Sequence, residues 1–206
     1  MRYCAEQGID QFLDIGTGIP TFPNVDEVAR QVHPHARTVG VDNDPVVLTH
    51  DRALAECHDG IRIIDGDLRR PRDILADPKL HEILDLSRPV AVSLVAVLHF
   101  VTDAEDPAGI VAAFREAMTP GSFLVLSAAT STDSDPEAVA RIEQIYAKAN
   151  VPVVFRPAEQ IESWFAGFEL VVPGLVEVSQ WPRPAGAPTN VRILGGVGHL
   201  PETANG

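Results

Sequence analysis

Residues 11–21, QFLDIGTGIPT, place a carboxylate, Asp14, two positions before a Gly16-Thr17-Gly18 turn. Glycine tolerates positive φ and has no side chain, so a ligand can lie against the backbone of such a turn. Asp14 closes an apolar run, where a carboxylate costs several kcal/mol unless amides or a cation satisfy it. Two more aspartates follow short apolar runs: Asp42 after RTVGV and Asp67 after IRIIDG. A carboxylate about twenty residues past a glycine turn can accept both hydroxyls of a ribose. Asp67 can accept from an exocyclic amine such as N6 of adenine, with Leu68 packing on the ring, and Asp14 can hold the turn through its amides or meet an ammonium. Together these groups suit an adenosine that carries a cationic amino-acid tail. For Asp42 and Asp67 the plain alternative is helix capping or turn formation. His99, in LVAVLHF, could take a proton from a hydroxyl or amine during a group transfer; the alternative is a hydrogen-bonded histidine that shapes its loop.

The elements that must position these residues follow from hydrophobic periodicity. Residues 1–8 read as the tail of a helix stopped by Gly8, ahead of a first strand through Phe12, Leu13 and Ile15. A helix over residues 24–32 follows, with its N-terminal amides facing whatever covers the turn. RTVGV is a second strand. Pro45 opens a helix to about Glu56, capped by Asn43 or Asp44. IRIID is a third strand, and Pro71 and Pro78 break the next stretch into short helices. PVAVSLVAVLHF, apolar nearly throughout, is expected as the central strand, followed by an amphipathic helix over residues 103–118 with Ile110, Val111, Phe114 and Met118 on one side. SFLVLSAA is a fifth strand. Helices from Asp135-Pro136 to about Ala149 and over RPAEQIESWFAG precede two strands, FELVVPGLVEV and VRILGGVGHL, joined by the proline-rich loop SQWPRPAGAPTN. Strands alternating with helices give a doubly wound parallel sheet, here ended by an antiparallel hairpin, in a single domain over residues 1–206 with a frayed tail at 201–206.

Composition narrows the function. A net charge of −13 opposes binding to phosphate backbones, so no nucleic-acid partner is expected. Two cysteines, Cys4 and Cys57, form no CxxC pair, no apolar run reaches the ~20 residues of a membrane span, and no signal peptide opens the chain. The expectation is a cytoplasmic protein with a small-molecule partner and no membrane association. His33 and His35 read as solvent-facing rather than metal-binding, DND and DGD as nucleoside contacts rather than a cation site, and no metal is expected. Arg69, Arg70 and Arg72 read as a solvated cluster, Trp164 and Phe165 as core, and Trp181 as exposed.

FLDIGTG, VGVDNDP, DGDL, LVAVLHF and AMTPGSFLVLS together resemble the class I S-adenosylmethionine-dependent methyltransferases. QFLDIGTGIPT, VDNDPVVL, VAVLHFV and WFAGFELVVPGLV are more closely similar to an S-adenosyl methyltransferase family common in actinobacteria, over nearly the whole chain. The resemblance implies a Rossmann-like α/β fold with a mostly parallel seven-stranded sheet, and S-adenosyl-L-methionine as cofactor. It implies cofactor contacts from Asp14, Gly16, Thr17, Gly18, Asp42, Asn43, Asp67, Leu68, Val95 and Ala96, and methyl transfer to an O, N or C nucleophile with His99 as candidate base. Two departures accompany it. Pro20 replaces the third glycine of the usual turn, and the longer helical N-terminal region that lids the cofactor in that family is expected to be short or missing. Two rival readings are an NAD(P)-dependent oxidoreductase, in which Thr21 would occupy the third glycine position and Asp14 would lack a purpose, and a non-catalytic S-adenosylmethionine-binding protein.

Overall fold

The alternation of apolar runs with amphipathic segments produces a mixed sheet with helices on both faces. The computed structural model describes residues 1–55, 59–181 and 189–202. Its strands are β1 (Gln11–Ile15), β2 (Arg37–Asp42), β3 (Ile61–Asp65), β4 (Ala91–Val95), β5 (Phe123–Thr130), β6 (Glu169–Leu170), β7 (Val176–Glu177) and β8 (Arg192–His199). The helices are α1 (Arg2–Glu6), α2 (Val25–Arg30), α3 (Pro45–Ala55), α4 (Pro71–Leu75), α5 (Pro78–Ile83), α6 (Pro107–Ala117), α7 (Pro136–Lys148) and α8 (Ala158–Ser163). Pro45, Pro71, Pro78, Pro107 and Pro136 each open a helix, where the missing N–H costs nothing.

The strand order is β3-β2-β1-β4-β5-β8-β6, with β7 also paired to β8. β1 to β5 are mutually parallel, and β8 runs antiparallel to its neighbours. The chain reverses its direction of winding between β1 and β4, so a crevice opens outside the carboxyl ends of these two strands. One apolar cluster, from Leu13 and Val39 to Phe114, Trp164 and Phe165, packs against one face of the sheet; a second, with Cys4, Phe12, Ala29 and Phe123, packs on the other.

Four expectations need correction. The apolar run 89–100 is a strand only to Val95, because Ala96 adopts a left-handed φ of 57° and the chain then turns through a short 3-10 segment, Leu98–Phe100. The helix expected from residue 103 begins at Pro107: Asp106 is left-handed and its carboxylate accepts from the Gly109 amide, which sets a new N-terminus. FELVVPGLVEV is two short strands, β6 and β7, divided at Gly174, whose φ is 90°, so the sheet has eight strands rather than seven. Trp181 is half-buried and packs edge-on against Tyr3 at 6.1 Å. Trp164 and Phe165 are buried as expected, and Arg69, Arg70 and Arg72 are exposed. Cys57, most of the loop after Trp181 and residues 203–206 of the tail lie outside the described residues.

Candidate functional site

The glycine turn is fastened to the end of β2. The amides of Gly16 and Thr17 donate to the Val41 carbonyl at 2.7 and 3.3 Å, and the Gly18 amide donates to Oδ2 of Asp42 at 3.0 Å. Asp42 Oδ1 accepts from the Asp44 amide at 2.9 Å, and Asp44 in turn caps α3 through the Val46 amide. The Asp42 carbonyl accepts from the Gly66 amide at 3.0 Å, so Asp42 stands between the turn after β1 and the turn after β3. Each of its carboxylate oxygens keeps a second lone pair for a ligand.

Beside the glycine turn lies a cavity of about 330 Å³ whose lining includes Asp14, Gly16, Thr17, Asp51, Ser93 and Val95, though not Asp42. Burial pushes the Asp14 carboxyl up to about 6; a hydrogen bond with Ser93 and the charge of the N-terminal ammonium at Met1, which also lines the cavity, oppose the shift, and the charges of Asp51 and Asp42 add to it. Asp51, on α3, accepts a hydrogen bond from the Thr17 hydroxyl, and its pKa is likewise raised, chiefly by desolvation and further by Asp42. Three carboxylates thus meet at one glycine turn, and two of them hold their protons more tightly than free aspartates. The Thr38 hydroxyl, buried in the cavity wall, finds no hydrogen-bond partner among the described residues. Such a chamber is complementary to a cation with further polar atoms.

A second cavity, of about 300 Å³, is lined by Asn43, Asp65, Gly66, Asp67 and Arg70 among others. Asp67 does not wait there unpaired. Its carboxylate accepts from Arg69 at 2.8 Å, Arg69 also bonds Glu105 at 3.2 Å, and the Arg69 interactions hold Asp67 below the usual carboxylate range. Leu68 is half-buried against the apolar core. Val95, 45% exposed, closes β4, and Ala96 donates its amide to Ser127.

His99 is placed differently from the base expected of it. It lines neither cavity, is buried, and its Nδ1 accepts from the Ala129 amide at 3.3 Å. Desolvation, with the charge of Arg156 behind it, pushes its pKa down to about 4. The ring is therefore neutral with its proton on Nε2, a donor rather than an acceptor. Its geometry is that of a residue shaping the Leu98–Phe100 turn. At the α2 N-terminus Asn24 and Glu27 close a reciprocal capping box, so the Glu27 amide is bonded within the helix end rather than turned toward a ligand.

Two residues escaped the reading of the sequence. Asp51 sits three and four positions after Leu48 and Val47, both buried, so an acid on the apolar stripe of α3 was the available signal. Arg156 is 2% exposed and donates to the carbonyls of Leu98 and Val101 and to Asp103. Its guanidinium also lies over the Trp164 ring at 5.3 Å, and nothing before Pro157 in the sequence announces this.

A Rossmann-like sheet in this order, with a glycine turn after β1 and acids after β1, β2 and β3, defines the fold of S-adenosylmethionine-dependent methyltransferases. A family model described as S-adenosyl methyltransferase matches residues 1–201, and the chain belongs to that family, whose cofactor is S-adenosylmethionine. The crystal structure of a DUF574 family protein from Streptomyces avermitilis is similar at 40% identity and a TM-score of 0.90, covering 97% of this chain and 80% of that one. A candidate methyltransferase from Thermobifida fusca is similar at 36% identity and a TM-score of 0.88, covering 98% and 77%. The N-methyltransferase NodS from Bradyrhizobium japonicum, solved with S-adenosyl-L-homocysteine, shares the fold at 14% identity, with a TM-score of 0.56 over 93% of this chain and 78% of that one. No curated protein matches the chain. Among the described residues no helix is long and apolar enough to cross a membrane.

Proposed function

We propose that this protein transfers the methyl group of S-adenosylmethionine to a small-molecule acceptor at O, N or C. The observation that carries the reading is the meeting of Asp14, Asp42 and Asp51 at the glycine turn, with the pKa of Asp14 and Asp51 raised by burial and mutual repulsion. An ammonium relieves that repulsion; the diphosphate of a nicotinamide dinucleotide would add to it.

In this reading Asp14, Gly16, Thr17 and Gly18 hold the amino-acid end, with Val95 and Ala96 closing the pocket beside it. Asp42 takes the ribose through the lone pairs its backbone bonds leave free, with Asn43 beside it, and Asp67 and Leu68 border the base. Asp51 joins them by fixing Thr17. The cofactor supplies a methyl group made electrophilic by its sulfonium. The chain supplies alignment and exclusion of water, which a direct displacement needs more than it needs an acid or a base. A net charge of −13 favours a small molecule over a nucleic acid as acceptor. Calorimetric titration tests the binding half of this reading: S-adenosylmethionine and S-adenosylhomocysteine should bind saturably and NADH should not. Saturable NADH binding at the same site, or none by the two sulfur nucleosides, would reject it.

A further inference from the structure

The part of the rim over β4 and β5 carries a group of side chains that cofactor binding does not use. α7 runs for 13 residues without a buried one. Its apolar stripe, Val139, Ile142 and Tyr146, is half-buried, at the three- and four-residue spacing that puts side chains on one helix face. The Tyr146 ring packs on Phe100 with centroids 5.5 Å apart, and Phe100 packs on His99 at 4.4 Å. Three rings therefore run from the buried His99 outward to a surface helix. They continue from the turn that follows Val95, whose exposed side chain borders the cofactor cavity. Two left-handed residues, Asp133 and Asn150, bracket α7.

The geometry points to this aromatic shelf as the acceptor side of the site, with a neutral aromatic small molecule as the acceptor; the inference rests on the methyltransferase reading above. The charges around the shelf select the class. Arg156, the buried cation beneath it, is engaged by Asp103 and by the carbonyls of Leu98 and Val101. Arg141 and Lys148 of α7 are exposed and lie off the stripe. An anionic acceptor therefore gains no ion pair from these three cations. An ammonium has no lone pair to offer, whereas a neutral ring stacks on Phe100 and Tyr146. In the transfer, a lone pair on the acceptor forms the bond to the methyl carbon as the carbon–sulfur bond breaks with its electron pair to sulfur, and the acceptor proton passes to solvent.

Three shape-matched probes test this on protein saturated with S-adenosylhomocysteine: 1-naphthol, 1-naphthoate and 1-naphthylmethylamine, titrated by calorimetry. 1-Naphthol should bind at least tenfold tighter than either charged probe. Tyr146→Ala should weaken it tenfold or more, Tyr146→Phe should retain it, and Ile145→Ala, on an exposed neighbour, should change it less than twofold. S-adenosylhomocysteine affinity should hold in all three variants. Absent naphthol binding, indifference to Tyr146→Ala, or a charged probe binding as tightly would overturn the shelf while leaving the cofactor assignment standing. Failure of S-adenosylhomocysteine to bind would overturn both.

Discussion

Gly16→Ala should cost cofactor affinity at least a hundredfold, about 2.7 kcal/mol, and should also lower the melting temperature of the unliganded protein. Gly16 has a φ of +75°, and a methyl group at its Cβ position would overlap Cγ1 of Val97. The left-handed backbone costs an L-residue about 1–2 kcal/mol, and forcing a methyl into a filled site costs about 1–3 more. At about 2–4 °C per kcal/mol for a chain of this size, the loss should reach roughly 10 °C. Gly18→Ala is the control. Its φ is +62°, but no atom lies within 4 Å of its Cβ position, so only the backbone cost applies. Adding Val97→Ala to Gly16→Ala should recover the overlap and not the backbone cost. Equal effects from Gly16→Ala and Gly18→Ala would show that Val97 does not press on the turn.

Arg156→Met should destabilise the protein by about 2–4 kcal/mol, because a buried carbonyl left without a donor costs about 1–3 kcal/mol and a guanidinium lost from an aromatic face about 1 more. The substitution leaves the Val101 carbonyl without its donor, takes one of two donors from the Leu98 carbonyl, which keeps the Val101 amide, and removes the guanidinium from the Trp164 face. Asp103, being exposed, loses little and can return to water. Arg156→Lys should rescue poorly, because an ammonium cannot span two carbonyls and a carboxylate in the plane a guanidinium provides. Thermal denaturation is the check. A Met variant that melts within about 2 °C of the parent would mean the Leu98–Asp103 segment holds its course without the cation.

Much of this fold was legible from local chemistry. Asp42 and Asp67 follow apolar runs that read as buried strands, prolines marked the starts of α3, α4, α5 and α7, and Gly8 and Gly167 marked the ends of the first and last helices. What escaped depends on distant partners or on backbone angles with no compositional mark. Ala96 turns left-handed with its amide held by Ser127, and no alanine in an apolar run advertises that. Asp106 resets the start of α6 by capping it, although Asp before Pro also reads as mid-segment polarity. Trp181, flanked by proline, looks exposed until Tyr3, far away in sequence, packs against it. At the candidate site, the convergence of Asp14, Asp42 and the glycine turn was readable because strand ends in a parallel sheet meet by topology. Asp51 enters from the interior of a helix, where an aspartate normally faces water. Arg156 is a buried charge whose acceptors, the carbonyls of Leu98 and Val101, are invisible in sequence. His99 was read from its place at a strand end, and burial beside Arg156 removes the basicity that made it a candidate.

The raised pKa of Asp14 sets a trade between stability and binding. Its carboxyl sits at about 6 in the fold against an ordinary 3.8, so the native state keeps this proton more tightly than the unfolded chain. The contribution of the group to stability is complete below 3.8 and is lost as pH rises through about 6, where ionisation works against folding. A cationic ligand reverses that preference, because it needs the ionised form. The decisive measurement is therefore a calorimetric titration of S-adenosylmethionine at pH 7.5 and pH 5.0 into the parent protein and into Asp14→Asn. Affinity in the parent should fall at least tenfold, about 1.4 kcal/mol, at the lower pH. The variant should bind weakly at both values with a flatter profile, while melting higher than the parent at pH 7.5 without ligand. Tight binding by Asp14→Asn, with the same affinity at both pH values in the parent, would contradict a site built on carboxylates awaiting a cation.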